Sequence, residues 1–142
     1  MTTRKASARY NGFGKDGKGT VSTQSGVLGD QAYGFNTRFE NEPGTNPEEL
    51  IAAAHASCFT MATSFALAKA GHAEGTLDTD CAITLVQDGD GFTITKSALT
   101  LVAHVPGLDQ AEFERLADDA KANCPVSKLL DCEITLEKRL EA

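Results

Sequence analysis

Cys58 and Cys124 are the residues whose types and settings best suit covalent chemistry. Cys58 interrupts an apolar stretch, residues 50–68, that reads as a buried helix, and Cys124 stands directly before Pro125, where one amphipathic pattern stops and a shorter one begins. A thiol on a dry helix and a thiol at a helix junction fit a redox relay, in which one sulfur is oxidised and the other condenses with it. A buried thiolate needs a cation or hydrogen-bond donors to offset its desolvation. Arg38, among the aromatic neighbours of residues 35–39, is the candidate cation, with a solvent-facing arginine as the competing reading. Which sulfur attacks is open at this level, because a helix N-terminus also lowers a thiol pKa and Cys124 precedes Pro125.

The other two cysteines read as core. In residues 79–85, Cys81, Ile83 and Leu85 alternate with Asp80, Ala82 and Thr84. Near the C-terminus Cys132, Ile134, Leu136 and Leu140 share one parity against Glu133, Thr135, Glu137 and Arg139. Both thiols thus fall on inward strand faces, where cysteine behaves as a small hydrophobe. His55 and Cys58, three apart, could share a zinc ion from one helix face. The other ligands are missing, since only His72 and His104 remain as imidazoles, and a hydrogen-bonded packing role suits His55 better. The run GFGKDGKGT (residues 12–20) nearly spells a phosphate loop, but Gly19 stands where Ser or Thr is needed and a strand follows, so it reads as a hairpin turn.

The elements that must position these residues are marked by the usual signals. Asn46, Pro47 and Glu49 form an Asn-x-x-Glu start for the apolar helix, and Gly71 marks its end. Residues 5–11, 20–25 and 33–40 are short Thr- and aromatic-containing segments between Gly-rich turns, as hairpin strands would be. Residues 92–105 read as a longer strand whose apolar parity changes near Ala98 and Leu99, through a bulge or burial on both faces. A second helix starts at Asp109 with Asp-x-x-Glu and carries Phe113, Leu116, Ala117 and Ala120 on one stripe, after which Pro125 opens a short helix over residues 126–130. The order predicts an α+β fold with largely antiparallel sheet.

A chain of 142 residues with 41% hydrophobic and 23% charged residues fits one domain, residues 1–142. Its net charge of −7 argues against nucleic acid and anionic membrane surfaces as partners. His55, Ser57, Thr60, Thr63 and Ser64 argue against a membrane span at residues 50–68. Arg4, Lys5 and Arg9 have no apolar run behind them, so the N-terminus does not read as a signal peptide, which places the chain in the cytoplasm with its thiols reduced.

Three runs, FNTRFE (residues 35–40), PGTNPEELIAAAHASCFTMA (43–62) and NCPVSKLL (123–130), closely resemble the OsmC/Ohr family of thiol peroxidases. FNTRFE and GTVSTQSGVL (19–28) resemble its osmotically inducible branch more than its organic hydroperoxide resistance branch. The resemblance implies an intertwined homodimer in which antiparallel sheets enclose two central helices. It implies organic hydroperoxides as substrates, no metal or flavin cofactor, and an external dithiol reductant, with a lipoyl-type group as one candidate. By the same resemblance Cys58 is the peroxidatic cysteine and Cys124 the resolving one. Arg38 stabilises the thiolate, Glu48 orients Arg38, and Glu49 is a second carboxylate. Cys81 and Cys132 match no functional position.

Helix geometry adds a constraint. Glu48 and Cys58 are ten residues apart on one helix, roughly 15 Å along its axis at 1.5 Å per residue, so a glutamate serving the Cys58 site must come from a second chain. Phe59, Met61 and Phe65 are the expected apolar lining for an organic peroxide. The competing classes are a non-enzymatic dimer binding zinc or a small ligand through His55 and Cys58, and a redox sensor whose disulfide alters a partner contact.

Overall fold

The N-terminal alternation folds as a hairpin in the computed structural model, which describes residues 1–141. Strands β1 (Ala6–Asn11) and β2 (Lys18–Thr23) pair antiparallel, and β3 (Gln31–Tyr33) adds antiparallel to the other side of β2. The near-phosphate loop is the β1–β2 turn, filled by a 3-10 turn at Gly14–Asp16 and followed by strand. Packing accounts for its glycines. A Cβ on Gly19 would lie 2.6 Å from the Tyr33 ring and 2.9 Å from the Tyr10 ring, which meet edge-on with centroids 6.0 Å apart.

The strand expected over residues 33–40 is corrected: β3 ends at Tyr33, and Phe35–Phe39 is a helical turn, α1. A helix brings Phe35 and Phe39 together at i, i+4, with ring centroids 5.1 Å apart. The Thr37 hydroxyl accepts the Gly34 N–H (2.8 Å), and the Asn46 side-chain amide donates to the Thr37 carbonyl (3.0 Å). Pairing signals in Thr and aromatic residues lost to these local bonds.

Helix α2 (Pro47–Lys69) starts as its capping pattern predicts, with Asn46 Oδ1 accepting the Glu49 N–H at 2.8 Å. Ahead of it Thr45 bridges Tyr33, and its N–H donates to the Ala32 carbonyl (2.9 Å). That approach requires Gly44, at φ +147°, where a Cβ would lie 2.5 Å from the Ala32 oxygen. At its far end the His72 N–H returns to the Leu67 carbonyl (3.0 Å). The helix is less enclosed than expected. Within the chain only His55, Phe59, Thr63 and Leu67 are buried, one stripe at four-residue spacing, while Met61 and Phe65 are 60% and 70% exposed.

Two compact units result, Met1–Leu50 and Ile51–Ala142. The second holds a three-stranded sheet of β4 (Thr76–Asp88), β5 (Gly91–His104) and β6 (Glu133–Glu141), in that order. β4 and β5 pair antiparallel, and β6 runs parallel to β5, the one parallel pairing among named strands that are otherwise antiparallel, as the largely antiparallel expectation allows. The chain between them holds α3 (Gln110–Asn123) and α4 (Pro125–Leu129), long enough for the crossover that a parallel pair needs. The parity change in β5 is a bulge, just upstream of its expected place. Thr84 pairs with Lys96 and Leu85 with Ile94, so Thr95 is the extra residue, and beyond it Ser97, Leu99, Leu101 and Ala103 face inward. Leu99, Leu101 and Ala103 pack with Phe59, Leu67 and the predicted α3 stripe, Phe113, Leu116, Ala117 and Ala120, into one core.

Candidate active site

Cys124 ends α3 and begins α4. Its N–H donates to the Ala120 carbonyl (2.9 Å), and as N-cap of α4 its sulfur accepts the Ser127 N–H (3.3 Å), with Pro125 at the first helical position. The residue is 1% exposed. Cys58 is half-buried on α2, and the Cys124 thiol is among the groups that act on its titration. Burial pushes the Cys58 thiol up from its ordinary pKa, the Val126 backbone N–H pulls it down, and the Cys124 thiol pushes it up. Both cysteines are free thiols. Two such sulfurs, one of them capping a helix N-terminus, can be joined as a disulfide by a two-electron oxidant and returned to thiols by an external dithiol.

Below them lies a polar network. His55, fully buried, is bonded at Nδ1 to the Ser97 hydroxyl (2.6 Å) and at Nε2 to the Ser127 hydroxyl (2.7 Å). Ser127 Oγ is 3.1 Å from Cys124 Sγ, and Ser97 Oγ is 3.3 Å from Cys81 Sγ. Burial lowers the His55 pKa, so the ring is neutral near pH 7. With both ring nitrogens engaged by serines, His55 has none to offer a zinc ion shared with Cys58, and among the described residues no other group of three His, Cys, Asp or Glu could hold a metal. His72 and His104 are instead each set against a glutamate, Glu112 (3.6 Å) and Glu141 (2.9 Å).

The charged half of the predicted site is assembled inside the N-terminal unit. Arg38, on α1, donates from Nε to Glu48 Oε1 (2.6 Å) and from Nη2 to Glu48 Oε2 (3.2 Å), a two-pronged grip that fixes the guanidinium plane. The arginine side chain is 35% exposed and the glutamate 13%. The guanidinium also lies 5.3 Å from the centre of the Phe39 ring. Glu49 turns elsewhere and accepts the Thr45 hydroxyl (2.7 Å). Beside Arg38 is a cavity of about 400 Å³ walled by Tyr10, Tyr33, Phe35, Phe39 and Pro47. Its walls are aromatic, and Arg38 and Lys15 are the two basic side chains that line it.

The structure thus brings Cys58 to Cys124 and Arg38 to Glu48. The apolar lining expected from Phe59, Met61 and Phe65 is corrected: Phe59 is sealed in the core and the other two stand on the open face of α2. Cys81 and Cys132 keep half-buried positions, with burial raising the Cys81 pKa, a Ser97 hydrogen bond lowering it, and the Cys132 charge raising it. Sequence reasoning missed Ser97 and Ser127. A signal existed for each: Ser97 is a polar residue in register with Leu99 and Leu101, and Ser127 is the third residue after a cap.

The family described as OsmC-like protein matches residues 39–138. Peroxiredoxin OsmC of Escherichia coli (strain K12) is 52% identical over 139 residues, 98% of this chain and 97% of that protein. Organic hydroperoxide resistance protein OhrB of Bacillus subtilis (strain 168) is 33% identical over 112 residues, 78% of this chain and 79% of that one. Among solved structures, the organic hydroperoxide resistance protein OsmC from Legionella pneumophila aligns with a TM-score of 0.71 at 26% identity, covering 100% of this chain and 98% of that one.

Proposed function

This chain belongs to the OsmC-like protein family, and from that membership we propose that it is a peroxidase reducing organic hydroperoxides to alcohols through Cys58 and Cys124. The observation that carries the reading is the thiol pair itself: both sulfurs are free, and Cys124, at the α3–α4 junction, acts on the titration of Cys58 on α2. The Cys58 thiolate attacks the distal peroxide oxygen, the O–O bond breaks, and an alcohol leaves with one proton, so that Cys58 becomes a sulfenic acid. Cys124 then condenses with it, releasing water and forming the disulfide. An external dithiol returns both sulfurs to thiols. Reducing conditions in the cytoplasm suit such a cycle.

Burial alone leaves Cys58 a poor nucleophile near pH 7, because its thiol is held above the ordinary range. Arg38 is the group that would reverse this, lowering the thiol pKa and donating to the peroxide oxygens as charge develops. Glu48, by gripping Nε and one N–H of Nη2, leaves the other three guanidinium N–H groups to point at substrate. The aromatic cavity beside Arg38 supports an organic substrate over hydrogen peroxide.

The spacing of Glu48 and Cys58 on one continuous helix favours a dimer, in which the Arg38–Glu48 pair of one protomer serves the thiols of its partner. Helix α2 is long and apolar enough to cross a membrane by length and composition. We assign its open face, with Met61 and Phe65, to the second protomer. Ser57 and Thr60 turn their hydroxyls onto the helix backbone, to the Ala53 carbonyl (2.8 Å) and the Ala56 carbonyl (2.6 Å), which leaves fewer polar groups to be desolvated when that face packs.

Intact-mass measurement after one equivalent of an organic hydroperoxide tests the cycle. Wild type is expected to lose two hydrogens, and Cys124→Ser to gain one oxygen at Cys58. Four free thiols remaining in wild type after peroxide has been consumed would refute the relay.

A further inference from the structure

We propose that His55 is a positioning residue for the resolving thiol, taking the proton of Cys124 through the Ser127 hydroxyl. This rests on the thiol relay above and assigns a role to a buried group that the relay does not otherwise use. The path is continuous: Cys124 Sγ to Ser127 Oγ is 3.1 Å, and Ser127 Oγ to His55 Nε2 is 2.7 Å. It continues from Nδ1 to Ser97 Oγ (2.6 Å) and ends on Cys81 Sγ (3.3 Å).

Each serine hydroxyl has one proton and a neutral imidazole has one N–H, so the chain of bonds must run in one direction or the other. With the proton on Nδ1, His55 donates to Ser97 and Nε2 accepts from Ser127, whose lone pair is left to accept the Cys124 S–H. With the proton on Nε2 the order reverses, and the Ser127 hydroxyl donates to Cys124 Sγ, the arrangement a thiolate requires. The tautomer of one buried ring therefore selects whether Ser127 accepts from the Cys124 thiol or donates to its sulfur, and only the first orientation leads the Cys124 proton toward His55.

In the resolving step the Cys124 S–H proton moves to Ser127 Oγ as the Ser127 proton moves to His55 Nε2. The electron pair left on sulfur forms the S–S bond to Cys58. The S–O bond of the sulfenic acid breaks, and the departing hydroxide takes up one proton, equal to the one His55 accepted, so the balance closes at one disulfide and one water. Burial, which keeps His55 neutral, keeps the accepting lone pair available. The titratable groups facing the network are Cys124 from the α3–α4 junction, Cys58 from α2, and Cys81 from β4 with Cys132 acting on it.

The test is rapid-quench single turnover with tert-butyl hydroperoxide, following Cys58 sulfenic acid by dimedone trapping and the disulfide by mass, over a range of pH. His55→Gln is paired with Ser127→Ala, which deletes one oxygen and keeps the backbone N–H on Cys124 Sγ; whichever variant folds decides. The ratio of resolution rate to oxidation rate is expected to fall by about tenfold or more, with the pH midpoint of resolution moving up, since general-base assistance is worth roughly 10²–10⁴. A fall of less than about threefold in that ratio, or an unmoved midpoint, overturns the proposal. A uniform loss of both rates leaves the ratio unchanged and so counts against it. Failure of the relay looks different, because wild type itself would then form no Cys58–Cys124 disulfide.

Discussion

Arg38 and His55 are each fixed by two short polar bonds, but they solve opposite electrostatic problems. Arg38 keeps its charge at a one-third exposed position and answers it with a carboxylate at 2.6 and 3.2 Å. His55, with no exposure at all, is met by two neutral hydroxyls at 2.6 and 2.7 Å and is held uncharged. The difference teaches where this fold can place a charge. An ion pair is retained where water shares its solvation, whereas in the dry core the desolvation cost exceeds what two serines return, and the proton is given up instead. Chemistry that needs a fixed cation is thus separated from chemistry that needs a mobile proton.

The sharpest way to break this comparison is to remove the cation. Arg38→Met is expected to lower kcat/KM for organic hydroperoxide by about 10²–10³, the usual cost of losing one preorganised donor to a developing charge. Because burial already holds Cys58 high, the pH giving half-maximal rate should move upward in the variant. A loss of only a few-fold in peroxide consumption would mean that the exposed half of the site is not catalytic. Glu48→Gln should cost less, about tenfold, since the amide can still accept one guanidinium hydrogen bond and the charge on Arg38 survives. Equal losses in the two variants would show that Glu48 acts for itself and not through Arg38.

Much of the contrast could be read in the chain before folding. Capping residues at Asn46 and Asp109, the α3 stripe and Cys124 before Pro125 are local signals, and each specified its element. The Arg38 helix was not legible, because Thr and aromatic residues favour strand in isolation and the bonds that made residues 35–39 helical come from Asn46 and Gly34 in the folded state. The His55 network was half legible. An imidazole on a mostly apolar helix announces a buried partner, but Ser97 and Ser127 lie 42 and 72 residues away, and only the crossover between β5 and β6 brings them to one ring. Long-range pairs of this kind leave no periodic trace.

The neutral core can be challenged through pH. His55 has a lowered folded pKa, so unfolding takes up a proton, and stability is lost as pH falls below about 6.5, the unfolded value, toward the folded one. Cys58 and Cys81 are raised, so their contribution is present below about 8.5 and lost as pH rises through the unfolded thiol range toward the folded values. Thermal midpoints should therefore peak near neutrality, and His55→Gln should flatten the acid limb. An acid limb unchanged in that variant would remove the electrostatic basis of the contrast with Arg38.

The smallest effect separates two neighbouring carboxylates. Glu48 and Glu49 both lie in the first turn of α2, where the helix dipole favours negative charge, but only Glu48 reaches Arg38. Glu49 accepts the Thr45 hydroxyl at 2.7 Å and donates its N–H to the Asn46 cap at 2.8 Å, so its carboxylate secures the turn that presents Glu48. Glu49→Gln keeps an acceptor for Thr45 and removes the charge, which should lower stability by about 0.3–1 kcal/mol in denaturant unfolding. Turnover should then change by less than about threefold, against the tenfold expected of Glu48→Gln. Matching losses from the two glutamines would mean that the guanidinium is held by a shared negative field, and that the geometry of one bidentate pair is not what sets the charged half of the site.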